Sequence, residues 1–194
     1  MRQHQRYACI FFVCFSLVPG VGLLIAPRPA LAATFTVDTT DDAVDVAPGD
    51  GQCRTANNHC TLRAAIQEAN ALLGADVIRL PAGTYLISRA GSGEDQAATG
   101  DLDITSSVSI TGDGAATTIV DGQQLDRVFD VRATGAAVIS GVTIQNGSAD
   151  AGAGIRVEGG TLKLMESTVM SNQASDAGGG VDTMAACSRS SAAP

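Results

Sequence analysis

The chain has 194 residues, 12 basic and 20 acidic, with a formal net charge of −8, no tryptophan and only 4% aromatic residues. Such acidity works against nucleic acid and anionic lipid as partners, since both are polyanions. So few aromatic rings also leave little surface on which sugar rings could stack.

Residues 1–32 read as a secretory signal. Arg2 and Arg6 precede an apolar stretch from Ala8 to Ala26, broken at Pro19-Gly20, and Ala30-Leu31-Ala32 has the small-x-small form of a cleavage site. The rival reading is an uncleaved anchor, against which the Pro-Gly break and the cleavage site both weigh. Cleavage leaves Ala33 first, no stable membrane span, and about 160 residues, enough for one domain with a sizeable core. Arg2, Arg6 and Arg28 depart with the signal, so the mature chain is the more acidic.

Residues 33–76 form an N-terminal unit. Thr34 to Val37 alternates as a short strand, and the loop from Asp38 to Asp50 carries Asp38, Asp41, Asp42, Asp45 and Asp50. That spacing does not fit an EF-hand, which favours a solvated loop over a metal site. Cys9 and Cys14 lie in the signal, leaving Cys53, Cys60 and Cys187. In an oxidising compartment Cys53 and Cys60 are expected to pair across a short loop. A zinc site of Cys53, His59 and Cys60 is the rival, although two adjacent ligands fit a tetrahedron poorly. Thr61 is the expected N-cap of a helix whose apolar face is Leu62, Ala65, Ile66, Ala69 and Leu73, with Gly74 as its C-terminal cap. One helix ahead of material that reads as strand throughout suits a cap on a β-helix.

The run Cys60 to Asn70, C-T-L-R-A-A-I-Q-E-A-N, followed by I-R-L-P-A-G-T-Y at Ile78 to Tyr85, resembles the CSLREA-domain proteins. These are exported bacterial chains whose right-handed parallel β-helix belongs to the pectin-lyase-like superfamily. Thr61 stands where the family has Ser, and Ala64 where it has Glu, so the side chain that would complete a capping box is missing. The resemblance covers roughly Thr34 to Val181 and implies a fold more firmly than an activity. Polysaccharide enzymes of the superfamily use acidic clusters to bind calcium or cleave glycosidic bonds, which directs attention to carboxylates.

Residues 77–181 are expected to form about four coils of an all-β, right-handed parallel β-helix. Val138 to Asn146 aligns with Leu164 to Asn172 at an offset of 26, as do Asp150 with Asp176 and Gly152 to Ile155 with Gly178 to Val181, while Thr117 to Gly122 matches Val142 to Gly147 at 25, a period near 26. An antiparallel sandwich does not predict such register. Parallel stacking would place Asn146 over Asn172 as an amide ladder. It would also set the backbones of Asp150 and Asp176 about 4.8 Å apart. That spacing suits a shared calcium, a retaining glycosidase pair, or simply aspartates adapted to turns.

His59 is the single histidine of the mature chain and sits inside the cysteine loop, where a Ser-His-Asp triad is poorly served. The expected function is therefore an exported, non-enzymatic, adhesin-like surface protein that needs no cofactor and meets a polysaccharide or cell-surface ligand. The alternative is a polysaccharide lyase or glycoside hydrolase with Asp150, Asp176 and calcium at its centre. Residues 182–194 lose period and turn signals together, as a truncated or frame-shifted β-helix would. The open coil left by such an end is expected to self-associate.

Overall fold

The structure, a computed structural model, describes residues 31–184. Residues 1–30, which hold most of the expected signal 1–32, and residues 185–194, with Cys187, lie outside the described residues.

The described chain consists of strands in parallel sheets with one helix. After β1 (Thr34–Thr36) and α1 (Leu62–Ala71), a first circuit runs through β2 (Ala75–Leu80), β3 (Gly83–Leu86) and β4 (Leu102–Ile104). The second is β5 (Ser107–Gly112), β6 (Thr118–Asp121) and β7 (Phe129–Val131). The third is β8 (Ala136–Ser140), β9 (Thr143–Gln145), β10 (Ser148–Ala151) and β11 (Ile155–Glu158). The fourth is β12 (Thr161–Met165), β13 (Thr168–Met170), β14 (Gln173–Ala177) and β15 (Val181–Met184). Each strand pairs in parallel with its counterpart one circuit along. The sheets are β1-β2-β5-β8-β12, β3-β6-β9-β13, β4-β7-β11-β15 and the short β10-β14.

Parallel register stacks like on like. Phe35, Ile78, Ile110, Ile139 and Leu164 are successive partners across the first sheet, and Tyr85, Val120, Ile144 and Val169 across the second. Because side chains alternate across a strand, these rows face one interior and form the core. Where circuits turn, backbones approach closely. A Cβ on Gly112 would lie 2.4 Å from the Gly141 carbonyl, so no larger residue fits without a shift.

The repeat is not a uniform 26. Thr143 pairs with Thr168 and Val138 with Lys163, an offset of 25, which lengthens to 26 (Ile155 with Val181) only after an irregularity between Ala149 and Ala151. In this register Asn146 is the counterpart of Ser171, not of Asn172; Asn146 and Ser171 share a positive φ of 55°. The expected amide ladder does not form. Asn146 Nδ2 donates to Asp121 (2.8 Å), while Asn172 Nδ2 donates to the Ile144 carbonyl (3.1 Å) and Oδ1 accepts from Gly147 N (2.7 Å). Each asparagine bonds one circuit back, Asn146 to a side chain and Asn172 to backbone. The strand pattern also continues past Val181 to Met184, with Val157 paired to Thr183.

The α1 helix packs against β2, β4 and β5. Thr61 caps it as expected, accepting from Ala64 N at 3.0 Å and donating to the Ala43 carbonyl at 2.6 Å. The C-terminal cap is Leu72 rather than Gly74: Leu72 is extended, and its N–H reaches the Glu68 carbonyl. Gly74, with φ +141°, belongs instead to the entry into β2. Leu73 consequently falls beyond the helix and is 77% exposed, while Leu62, Ala65, Ile66 and Ala69 are buried as the apolar face requires.

Candidate functional site

The polar residues of the helix motif are clamps. Arg63 is fully buried; it donates to Asp42 and to the carbonyls of Ala97 (3.0 Å), Gly100 (2.8 Å) and Asp101 (3.3 Å). Gln67 accepts from Asp45 N and donates to the Gln96 and Ala97 carbonyls, Glu68 accepts from Gly49 N and Gly51 N, and Asn70 links the Asp103 carbonyl to Thr105 N. Two turns of the helix thus fasten the acidic loop on one side and the polar excursion 88–101 on the other. Among the acidic-loop carboxylates, Asp38, Asp42, Asp45 and Asp50 all accept backbone N–H bonds, a structural use that a metal would have to displace.

Cys53 and Cys60 are joined by a disulfide, with Cα atoms 5.1 Å apart, which removes the thiolates that a zinc site would need. His59 is half exposed, and its Nδ1 lies 3.3 Å from Asp38.

Asp150 and Asp176 lie across from each other in an irregular stretch of the pairing. The irregularity in the β10–β14 pairing sets Ser175 and Asp176 together opposite Asp150, and the carboxylates of Asp150 and Asp176 are both exposed. The Ala151 N–H, aided by Arg127, holds the Asp150 carboxyl below the usual carboxylate range.

The carboxylates brought together are Asp101, Asp103 and Asp130, each with an oxygen within 4.8 Å of the others. Strand alternation explains how they meet. Leu102 and Ile104 of β4 point inward, which turns Asp103 outward, and the in-register β7 places Asp130 beside it. Arg156 of β11 and Asp182 of β15 continue the row. The excursion covers this outer face, so all three aspartates are at most 5% exposed.

Their environments differ. Burial works to raise the Asp130 carboxyl, but hydrogen bonds from Arg156 and Arg132 outweigh it and leave the group below its ordinary value. Asp101 accepts from Arg127 Nη1 at 2.9 Å, yet burial and the neighbouring Asp126 push it up to about 6. Asp103 receives one bond, from Ala97 N at 2.9 Å, and its Oδ1 has no partner. Burial and Asp101 push it up to about 7.

A cleft of about 300 Å³ borders the cluster. Its wall adds the carboxylates of Glu94, Asp95, Asp126 and Asp150 to those of Asp101 and Asp130, against the guanidiniums of Arg127 and Arg156. Such a surface repels uronate polymers. As metal ligands the three aspartates are a poor set. Arg156 and Arg132 occupy both oxygens of Asp130, leaving Asp101 and Asp103 where calcium takes six to eight oxygens. Burial likewise keeps a sugar from reaching Asp103, which does not line the cleft.

The sequence carried a signal for this cluster. L-D-I, F-D-V, I-R-V and V-D-T at 102–104, 129–131, 155–157 and 181–183 share one alternation, with the charged residue always on the outer face.

No family model, curated protein or solved structure matches the chain. No helix among the described residues is long and apolar enough to cross a membrane.

Proposed function

We propose that the chain is an exported, non-enzymatic surface protein of the CSLREA kind, a right-handed parallel β-helix closed at its N-terminal end by α1. The observation that carries this reading is the use of the motif itself: Arg63, Gln67, Glu68 and Asn70 all spend side-chain hydrogen bonds on fastening the flanking loops. The cyclic return of the chain to the same parallel sheets supports the β-helix, and the strong preference for right-handed crossovers supports its hand. The disulfide supports secretion or display at the cell surface, because such bonds persist in oxidising compartments.

Its partner on this reading is a polysaccharide or another cell-surface ligand, and no cofactor is required. Self-association is also supported: β12, β13 and β15 are sheet edges among the described residues, and an apolar cleft of about 690 Å³ lies beside Leu162, Leu164, Val181 and Met184.

Incubating the purified chain with pectate, alginate or a glycosaminoglycan tests the reading. Neither unsaturated uronate absorbance nor new reducing ends should appear. Product formation lost in Asp101→Asn or Asp150→Asn would establish the polysaccharide lyase or hydrolase instead.

A further inference from the structure

We infer that Asp101 and Asp103 share a single proton, and that this proton latches the excursion 88–101 over the outer face of β4 and β7.

The first ground is the orphaned oxygen. Asp103 is fully buried and its Oδ1 meets no donor, which is costly for a carboxylate. No guanidinium reaches it: Arg127 is taken by Asp101, and Arg132 and Arg156 by Asp130. A proton on Asp103 turns the unmatched acceptor into a donor, and the Asp101 carboxylate, with an oxygen within 4.8 Å in the same cluster, is the acceptor this inference assigns to it. Two buried carboxyls within 4.8 Å of each other disfavour each other's ionisation.

The charges around the pair agree. Asp130 faces it from β7, Asp126 from the segment before β7 and Glu94 from the excursion, so the surroundings are acidic beyond what Arg127 offsets at Asp101. Arg156 on β11 and Arg132 after β7 are spent on Asp130, and Arg132 also on Asp95 (2.9 Å) and Glu158 (3.2 Å). From α1, Arg63 and Asn70 reach only the backbone carbonyls of Asp101 and Asp103. The raised values of both carboxyls have the same origin.

The second ground is the join between the pair and the excursion. Asp103 Oδ2 accepts from Ala97 N, and the Ala97 carbonyl accepts from Arg63 and Gln67. Ala97 is fully buried and held at φ +52°, a left-handed conformation that costs a non-glycine residue energy. The strained residue stays in place through these bonds. Opening the excursion returns both carboxyls to water, where they shed the proton. Rising pH therefore favours opening between about 4, the ordinary carboxyl value, and about 7. Above that range the closed form has also lost its proton, and the dependence ends. Opening also removes Glu94 and Asp95 from the wall of the acidic cleft.

Hydrogen exchange read by mass spectrometry, with each rate divided by its intrinsic value, tests the latch on peptides spanning 93–100. In the wild type, protection should fall by about tenfold per pH unit from pH 5 to 7 and level off by pH 8. Asp103→Asn and, independently, Asp101→Asn should show no such slope while keeping the far-ultraviolet circular dichroism of the fold. Flat protection in folded wild type, or the wild-type slope in both variants, overturns the inference. So does calcium restoring protection at pH 8 in wild type but not in Asp103→Asn, which would put a metal cation where the proton is placed.

Discussion

Replacing Arg63 by methionine removes the most heavily used side chain of the N-terminal unit and keeps most of its volume. In the wild type the guanidinium pairs with the nearly buried Asp42 and ties down three carbonyls of the excursion. Breaking a buried ion pair by removing one partner costs about 3 to 5 kcal/mol. Asp42 keeps the Ser88 and Arg89 N–H groups at 2.8 and 3.0 Å, which moderates that figure, whereas each carbonyl left without a donor adds about 1 kcal/mol or more. These contributions are coupled, and about 4 kcal/mol is a fair net value. That is a large fraction of the 5 to 15 kcal/mol typical of a domain. At roughly 2 to 4 °C per kcal/mol, the melting temperature should drop by about 8 to 16 °C. Circular dichroism melts at pH 6 would read this. Arg63→Lys should fall between the two, since one ammonium cannot replace the planar fork. Adding Asp42→Asn to Arg63→Met should recover part of the loss by removing the stranded charge. A methionine variant melting within about 3 °C of wild type would refute the clamp.

Converting Cys53 and Cys60 to serine should cost on the order of 2 to 3 kcal/mol through the freed unfolded loop, read as a lower urea midpoint, with non-reducing peptide mapping confirming the bond in the wild type. Ile139→Ala, in the middle of the aliphatic row and fully buried, should cost about 2 to 5 kcal/mol by the same measurement. Global stability should follow the buried carboxyls. Asp101 and Asp103 have folded values raised from 3.8 to about 6 and about 7, so their contribution is fully present below about 4 and fades as pH rises through 6 and 7. Asp130, with its lowered value, acts oppositely and loses its contribution in strong acid, so urea midpoints from pH 2 to 8 should peak in mild acid. Calcium should shift wild type and Asp176→Asn equally, because both carboxylates are exposed and Asp150 is already engaged by Ala151 N and Arg127; a shift confined to wild type would make the two a site.

Local signals were the legible part of the fold. Thr61 ahead of an apolar period marks the helix start. The helix end was misread because Gly74 looked like a cap, although the chain already turns at Leu72, where the Glu68 carbonyl is satisfied by an extended residue. The period was legible only on average. A one-residue irregularity inside β10–β14 moves the offset from 25 to 26, and an alignment anchored on Gly152 and Gly178 carries the later offset back into β9. That slip of one residue put Asn146 over Asn172 in the sequence reading and separated them in the structure.

The same reasoning explains why Asp150 and Asp176 drew attention that belonged to Asp101, Asp103 and Asp130. Matching residues at one fixed spacing finds identical letters on turns, where aspartate recurs for its own backbone bonds, as Asp150 bonds Ala151. The buried cluster is instead made by register between strands 27 and 26 residues apart (Leu102 with Phe129, Phe129 with Ile155) in which the outward letter changes from Asp to Asp to Arg. A row that mixes charges is invisible to a search for repeats, yet it is what a stacked sheet needs, because like charges one strand apart repel and Arg156 relieves Asp130. Asp103 sits where that relief stops. Its neighbour along the row is another aspartate, and the covering excursion supplies one N–H and no cation. An unrelieved carboxyl at the end of an otherwise compensated row is the physical reason a proton belongs there.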